Sequence, residues 1–263
     1  MMKPTRIYLC EDSVDGILTG IYEGWMSRYG HDYVKIKVNQ QETLELFSEY
    51  VTVAADEEKS QKVGATIRRK IGTEGYNQVI RALLSDDPDK ADTVYRFLIR
   101  GFAVGPSIIQ QLGFDCVRRV MEMNRRVGNE AHYHVEFIRF SQLKNGILFS
   151  KITPKSDVLT LVAPHFADRL ALENFMIYDS NRKKAVLHRA DFPWILTDAS
   201  EFDEAAADEL AEEETDFIGL WKHFVKHIAI MERKNERCQN NMLPKRYRPN
   251  MTEFDPRYEH IGE

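Results

Sequence analysis

His132-Tyr133-His134-Val135-Glu136-Phe137, then Asn145-Gly146, then Ile147-Leu148-Phe149-Ser150-Lys151-Ile152 read as a strand, a turn and a returning strand. Tyr133, Val135 and Phe137 alternate with His132, His134 and Glu136, the period of two that places successive side chains on opposite faces of a strand. Asn-Gly accepts the positive backbone angles that a tight hairpin needs. Asn174 to Asp179 and Lys184 to His188 repeat the arrangement about Ser180-Asn181-Arg182. Four strands so close together imply an antiparallel sheet.

Elsewhere the spacing is mostly helical. Arg6 to Glu11 is a short strand candidate, and Asp12-Ser13 can cap the helix that follows. Val14, Ile17, Leu18, Ile21, Tyr22, Trp25, Met26 and Tyr29 make one buried stripe, with Gly30 as the stop. Asp32 to Val38 alternates as a second strand. Residues 56–128 read as helical, broken at Gly101, Gly105, Pro106 and Gly113. Within them Val117, Val120, Met121 and Val127 point inward, leaving Arg118, Arg119, Arg125 and Arg126 as an outward basic cluster. A short helix is expected at 157–169. A long one is expected at 204–233, with Phe217, Leu220, Trp221, Phe224, Ile228 and Met231 inward and Lys222, Lys226 and Arg233 opposite. The expected architecture is α+β, mainly antiparallel sheet with a large helical insertion and a long C-terminal helix. It is read as a single compact unit over 1–263, comprising a helical region (56–128), a β-rich region (132–190), the C-terminal helix (204–233) and a basic tail (234–263).

With 263 residues, 43% hydrophobic and 29% charged, the chain is long enough for a sizeable core, and collagen-like or wholly disordered classes are excluded. No apolar run reaches membrane-spanning length, and the apolar stretch near the N-terminus is broken at once by Glu11 and Asp12, so neither a span nor a secretion signal is expected. Cys10, Cys116 and Cys238 lie too far apart for a zinc or iron-sulfur spacing, which fits a reducing cytoplasm and a chain with no metal or cofactor of its own.

The net charge of −5 argues against a wholesale nucleic-acid coat, but the charge is segregated. Residues 201–216 hold nine carboxylates and no Lys or Arg, whereas 222–248 hold Lys222, Lys226, Arg233, Lys234, Arg237, Lys245, Arg246 and Arg248 against Glu232 and Glu236. A phosphate-binding surface can therefore exist inside an acidic protein; the plainer reading is solvated faces of neighbouring helices.

Dinucleotide-binding, Walker, zincin and serine-hydrolase signatures are absent. On a strand, His132 and His134 would share a face with Glu136, a geometry for a metal or for acid–base work, although such histidines are more often structural. Arg139 would fall on the apolar face, where a guanidinium must be paired or reach a ligand. His223 and His227 stack at helical spacing, most simply as surface residues. Pro164 to Arg169 places His165, Asp168 and Arg169 at a helix end, suited to an anion or simply to the helix dipole. Pro244-Lys245-Arg246-Tyr247-Arg248-Pro249 interleaves cations with an aromatic ring, suited to phosphate contacts and base stacking, or to a tail strapped down by carboxylates.

Several of these segments, in order and spacing, resemble a bacterial family of unknown biochemical function that is assigned to DNA metabolism or DNA repair. The matching pieces are Tyr8 to Ser13 with Gly16 and Ile21-Tyr22; Asn129 to His132 leading to Phe137 to Phe140; Asp157 to Leu159 and Ala163 to Arg169; Ile177 to Asp179 with Arg182; and Leu220-Trp221 through Glu232-Arg233 to Pro244 to Tyr247. The resemblance implies a radical-SAM protein encoded alongside and relatives fused to uracil-DNA-glycosylase-like domains. This chain lacks a Cys-x3-Cys-x2-Cys cluster, so any iron-sulfur chemistry belongs to the partner.

The expected function is an accessory in DNA repair or metabolism that binds DNA and a radical-SAM partner. Arg139, Arg169, Arg233, Lys245, Arg246 and Arg248 would contact phosphates or orient the partner, and Tyr247 would stack on a base. Two other readings are an enzyme of hydrolytic or lyase type acting on damaged DNA, with His132 or His165 as general acid or base and Glu130 as partner, and a protein scaffold that docks through its acidic helix.

Overall fold

The computed structural model describes residues 3–38, 45–208, 210–211, 213–228 and 234–256. The chain divides into two compact units, residues 1–129 and 130–263.

In the first unit, strand β1 (Thr5–Cys10) leads into helix α1 (Val14–Met26), whose first turn is capped by the Ser13 hydroxyl accepting from the Gly16 amide at 2.9 Å. Strand β2 (Val34–Val38) returns beside β1, and β3 (Ser48–Val53) lies on its other edge; both pair parallel to it, giving the order β2-β1-β3. This corrects the expected antiparallel bias. A strand, a helix and a second strand in succession form a βαβ crossover, and a helix spanning the strand's length returns the chain in the same direction.

α1 lies close on this sheet because Gly20 has no side chain: a Cβ there would stand 2.0 Å from the Cys10 sulfur. Burial pushes the Cys10 thiol up to about 12, so it behaves as a small apolar core residue. Helix α2 (Glu57–Leu83) is capped by Asp56 and kinks at Gly72, whose φ of 89° is ordinary only for glycine. Helix α3 (Lys90–Val104) packs on α2, and Phe97, Leu98, Ile71 and Ile67 join Ile17, Ile21 and Ile36 in one core.

Helix α4 (Asp115–Phe137) runs across the boundary between the units. Its buried residues in the first unit are Val117, Val120, Met123 and Val127, while Met121 is exposed. The expected basic cluster is largely paired: Arg118 binds Asp115 and Glu122, Arg119 binds Asp87 and Asp89, and Arg126 binds Asp87.

That helix also overturns the strand expected at 132–137. The segment's period of two is real, yet Val127, Glu130, Ala131, His134 and Ile138 are all buried at helical spacing. Two of these five are polar, and this hid the helical stripe from a hydrophobic reading.

The second unit carries a sheet of strands β4 (Ser141–Gln142), β5 (Leu148–Ile152), β6 (Phe175–Asp179), β7 (Lys184–His188) and β8 (Ile195–Asp198), in that order. Asn145-Gly146 turns β4 into β5, and 180–183 turns β6 into β7, as antiparallel hairpins. Helix α5 (Leu159–Arg169) carries the chain from β5 to β6, which pair parallel. The sheet is therefore mixed.

The long C-terminal helix is likewise corrected. A 3₁₀ turn occupies Glu204–Asp208, Leu210 then bridges to Leu143, and the Ala211 amide donates to the Gln142 carbonyl, so the chain is extended against the sheet edge where a helix was expected. Residues 201–213 carry seven carboxylates and no Lys or Arg of their own, which also opposes a helix there. Helix α6 (Glu214–Ile228) and the short α7 (Glu236–Met242) follow. α6 buries Ile218, while Phe217, Leu220, Trp221, Phe224 and Ile228 of the expected inward stripe stay exposed.

Candidate functional site

The last turns of α4 organise the second unit's polar centre. One helix face carries Glu130 and His134, four residues apart and both buried. His132 turns outward and pairs with Glu136 at 3.1 Å. The Glu130 carboxylate accepts the backbone amides of Lys155 and Ser156 at 2.9 and 3.0 Å, and the Arg246 guanidinium approaches it to 3.5 Å. Burial alone would raise this carboxyl; the two amides, the Ser156 side chain and Arg246 outweigh it and hold the group below its ordinary value.

The Lys155-Ser156 loop is fixed from the other side by the β6–β7 turn. Asp179, fully buried at the end of β6, accepts the amides of Asn181 and Arg182 and the Arg182 guanidinium. Asn181 and Arg182 in turn donate to the carbonyl of Pro154, and Arg182 also to that of Lys155. Burial raises Asp179 despite Arg182 beside it. The result is a relay from turn to loop to Glu130 to the tail.

Tyr247 is buried against Tyr133, His134 and Phe137, with ring centroids 5.5, 5.0 and 5.6 Å away, and its hydroxyl accepts from Arg246 at 2.5 Å. Burial lowers His134 to about 4, with Glu130 opposing and Arg246 adding, so it is neutral. Its Nε2 is buried with no hydrogen-bond partner among the described residues, beside a hollow of about 10 Å³ bordered by Lys151, Arg246, Tyr247 and Asn250. That space is about one water molecule in size and excludes a substrate.

Lys151 and Asn250 also border a far larger cleft, about 490 Å³, whose wall includes Arg139, Ser150 and Thr252. Arg139 donates through Nη2 to Glu253 at 3.0 Å and through Nη1 to the carbonyls of Glu136 and Ile138, but its Nε is buried without a partner. The Ser150 hydroxyl is in the same state. Lys151 is shared with Glu204 at 2.6 Å, and Glu204, also held by Lys183 and the Tyr178 hydroxyl, is drawn down to about 2. The cleft thus sets donors from Arg139, Lys151 and Asn250 beside the carboxylates of Glu204 and Asp255, while the Arg139 Nε and Ser150 hydroxyl are buried without a partner among the described residues.

The structure brings Arg139, Glu130, Arg246 and Tyr247 into this region. Lys245 is exposed; Arg248 is committed to Asn240 and the Leu243 carbonyl. His165 and Arg169 lie exposed on α5 and do not border the cleft, and Arg233 is outside the described residues. His223 and His227 stack at 3.8 Å on α6, and among the described residues no group of three potential ligands could hold a metal. Sequence reasoning missed Ser150, Lys151, Asn250 and Thr252. The signal available was positional: Ser150 and Lys151 lie on the strand preceding a crossover helix.

A family model described as DUF4130, a domain of unknown function, matches residues 88–253. No curated protein matches the chain. Among solved structures, a DHH-domain protein described as a member of the s1p family of ribosomal proteins overlaps 72% of this chain and 74% of its own, at 10% identity and a TM-score of 0.32. That likeness is too loose to define a shared fold.

Proposed function

The chain belongs to the DUF4130 family, whose description leaves its activity open, and from that premise we propose that its second unit binds nucleic acid, as an accessory in DNA repair or metabolism beside a radical-SAM partner. The observation that carries the reading is the 490 Å³ cleft, which Arg139, Lys151, Asn250 and Thr252 border together with Glu204 and Asp255. A backbone phosphate entering the cleft offers acceptors to the Lys151 ammonium in competition with Glu204, and to the Asn250 and Thr252 side chains beside it. The resemblance noted in the sequence supports the DNA context and the partner.

The test is fluorescence anisotropy with single- and double-stranded DNA at two salt concentrations, on the wild type and Lys151→Gln. Salt-sensitive binding, weakened in the variant with a salt slope smaller by about one, supports the reading. Absence of binding at low salt refutes it, and an unchanged Lys151→Gln removes the cleft from the interface. Adding the radical-SAM protein to the same assay tests the partner.

A further inference from the structure

In the first unit, Trp25 at the end of α1 is surrounded by aromatic rings: His31 at 4.5 Å, Phe102 at 5.2 Å and Tyr95 at 6.1 Å between centroids. Trp25 and Phe102, with Tyr22, border an apolar hollow of about 250 Å³, large enough for a planar heterocycle. Its other side is the part of α2 that precedes the Gly72 kink, which brings Lys62, Arg69 and Lys70 to the hollow. Lys62 is engaged by Glu58 at 2.6 Å. Arg69 has no carboxylate partner among the described residues, and Lys70 has none either, its ammonium lying 5.3 Å from the Phe102 ring. Among the described residues no carboxylate borders the hollow.

Trp25 and Met26 also border a second hollow of about 440 Å³, formed with Gly24, Arg28, Gly30 and His31 and again without a carboxylate among the described residues. Arg28 is exposed and meets no carboxylate among the described residues. Cations therefore stand on both sides of one half-exposed indole. An aromatic floor selects a planar ring, and two adjacent uncompensated cations select a dianion.

We propose that this is a nucleotide site: a base stacks on Trp25 with Phe102, tilted by 57° to the indole, against its edge, and its phosphate is held by Arg69 and Lys70. The same chemistry arises from a free nucleoside monophosphate or from one nucleotide of a single strand laid across Trp25, with a neighbouring phosphate on Arg28. The site is independent of the cleft in the second unit.

The experiment is titration calorimetry of the full chain with AMP, dTMP, thymidine, inorganic phosphate and a short oligo-dT strand. The variants are Arg69→Gln/Lys70→Gln, which alters exposed side chains only, Arg28→Gln and Lys151→Gln. A monophosphate that binds at least tenfold more tightly than thymidine or phosphate alone, and loses that advantage in Arg69→Gln/Lys70→Gln but not in Lys151→Gln, is the result expected for a free nucleotide. Binding of the oligonucleotide alone, weakened by both Arg69→Gln/Lys70→Gln and Arg28→Gln, identifies the strand as the source. Binding that responds only to Lys151→Gln assigns the ligand to the second unit and overturns the proposal. No binding by any probe at millimolar concentration, or binding unmoved by Arg69→Gln/Lys70→Gln, overturns it equally.

Discussion

Glu130 and Arg246 meet at 3.5 Å, joining the end of α4 to the tail, and the two partners contribute unequally. Glu130 is buried and also satisfies the amides of Lys155 and Ser156, whereas Arg246 is about half exposed. Glu130→Ala strands both amides and is expected to destabilise the second unit by about 2–4 kcal/mol. Arg246→Ala leaves those amides paired and costs about 1 kcal/mol or less. Urea unfolding of both variants checks the order; equal losses would show that the ion pair, rather than the loop amides, holds the junction.

His134 makes stability depend on pH. Its ordinary value is 6.5, and burial lowers it to about 4 in the folded chain. Between those values the unfolded state binds the extra proton, so stability rises with pH there and is lost as pH falls from about 6.5 through about 4. The full difference is about 3 kcal/mol. His134→Gln removes this slope, and the wild-type-minus-variant difference in unfolding free energy, measured from pH 7 to pH 4, should shrink by that order. A difference that stays constant with pH would mean that His134 titrates normally.

The β6–β7 hairpin, and the Asn145-Gly146 turn with the returning strand β5, were legible because their signals are local, whereas the strand expected before that turn, 132–137, is the end of α4 and β5 pairs with Ser141–Gln142 instead. The Ser13 cap and α1 were legible for the same reason. What failed depended on partners distant in sequence. The α4 stripe includes Glu130 and His134, polar residues buried only because Lys155, Ser156, Arg246 and Tyr247 arrive to cover them. The expected helix through 204–213 yields to an extended bridge with Leu143, a contact no local pattern announces. Tyr247 reads in sequence as an exposed stacking platform, but three aromatic rings of α4 bury it.

Gly20 and Cys10 are coupled by contact. A Cβ at residue 20 would meet the Cys10 sulfur at 2.0 Å, but the Cys10 Cβ only at 3.6 Å. Gly20→Ala is therefore expected to destabilise the first unit by about 1–3 kcal/mol through overpacking. In a Cys10→Ala background the clash disappears, leaving ordinary contacts with Ile36 and residue 10. A double-mutant cycle by thermal unfolding should return a favourable coupling between the two substitutions. Additive losses would place the close approach of α1 elsewhere.

Lys245 and Arg246 are neighbours with different work to do, and this separates binding from folding in the tail. The Lys245 side chain is exposed with no ion-pair partner among the described residues, while Arg246 is engaged by Glu130 and Tyr247. On the proposed reading, Lys245→Gln weakens DNA binding about equally across sequences and lowers the salt slope by about one, because one released counterion is lost. Its unfolding midpoint stays at the wild-type value. Arg246→Gln should lower affinity and also shift the midpoint modestly, since it loosens the tail's hold on Glu130. Anisotropy and unfolding measured on the same preparations decide the matter. A Lys245→Gln protein that binds like the wild type removes Lys245 from the interface and leaves phosphate contact to the cleft that Lys151 and Asn250 border.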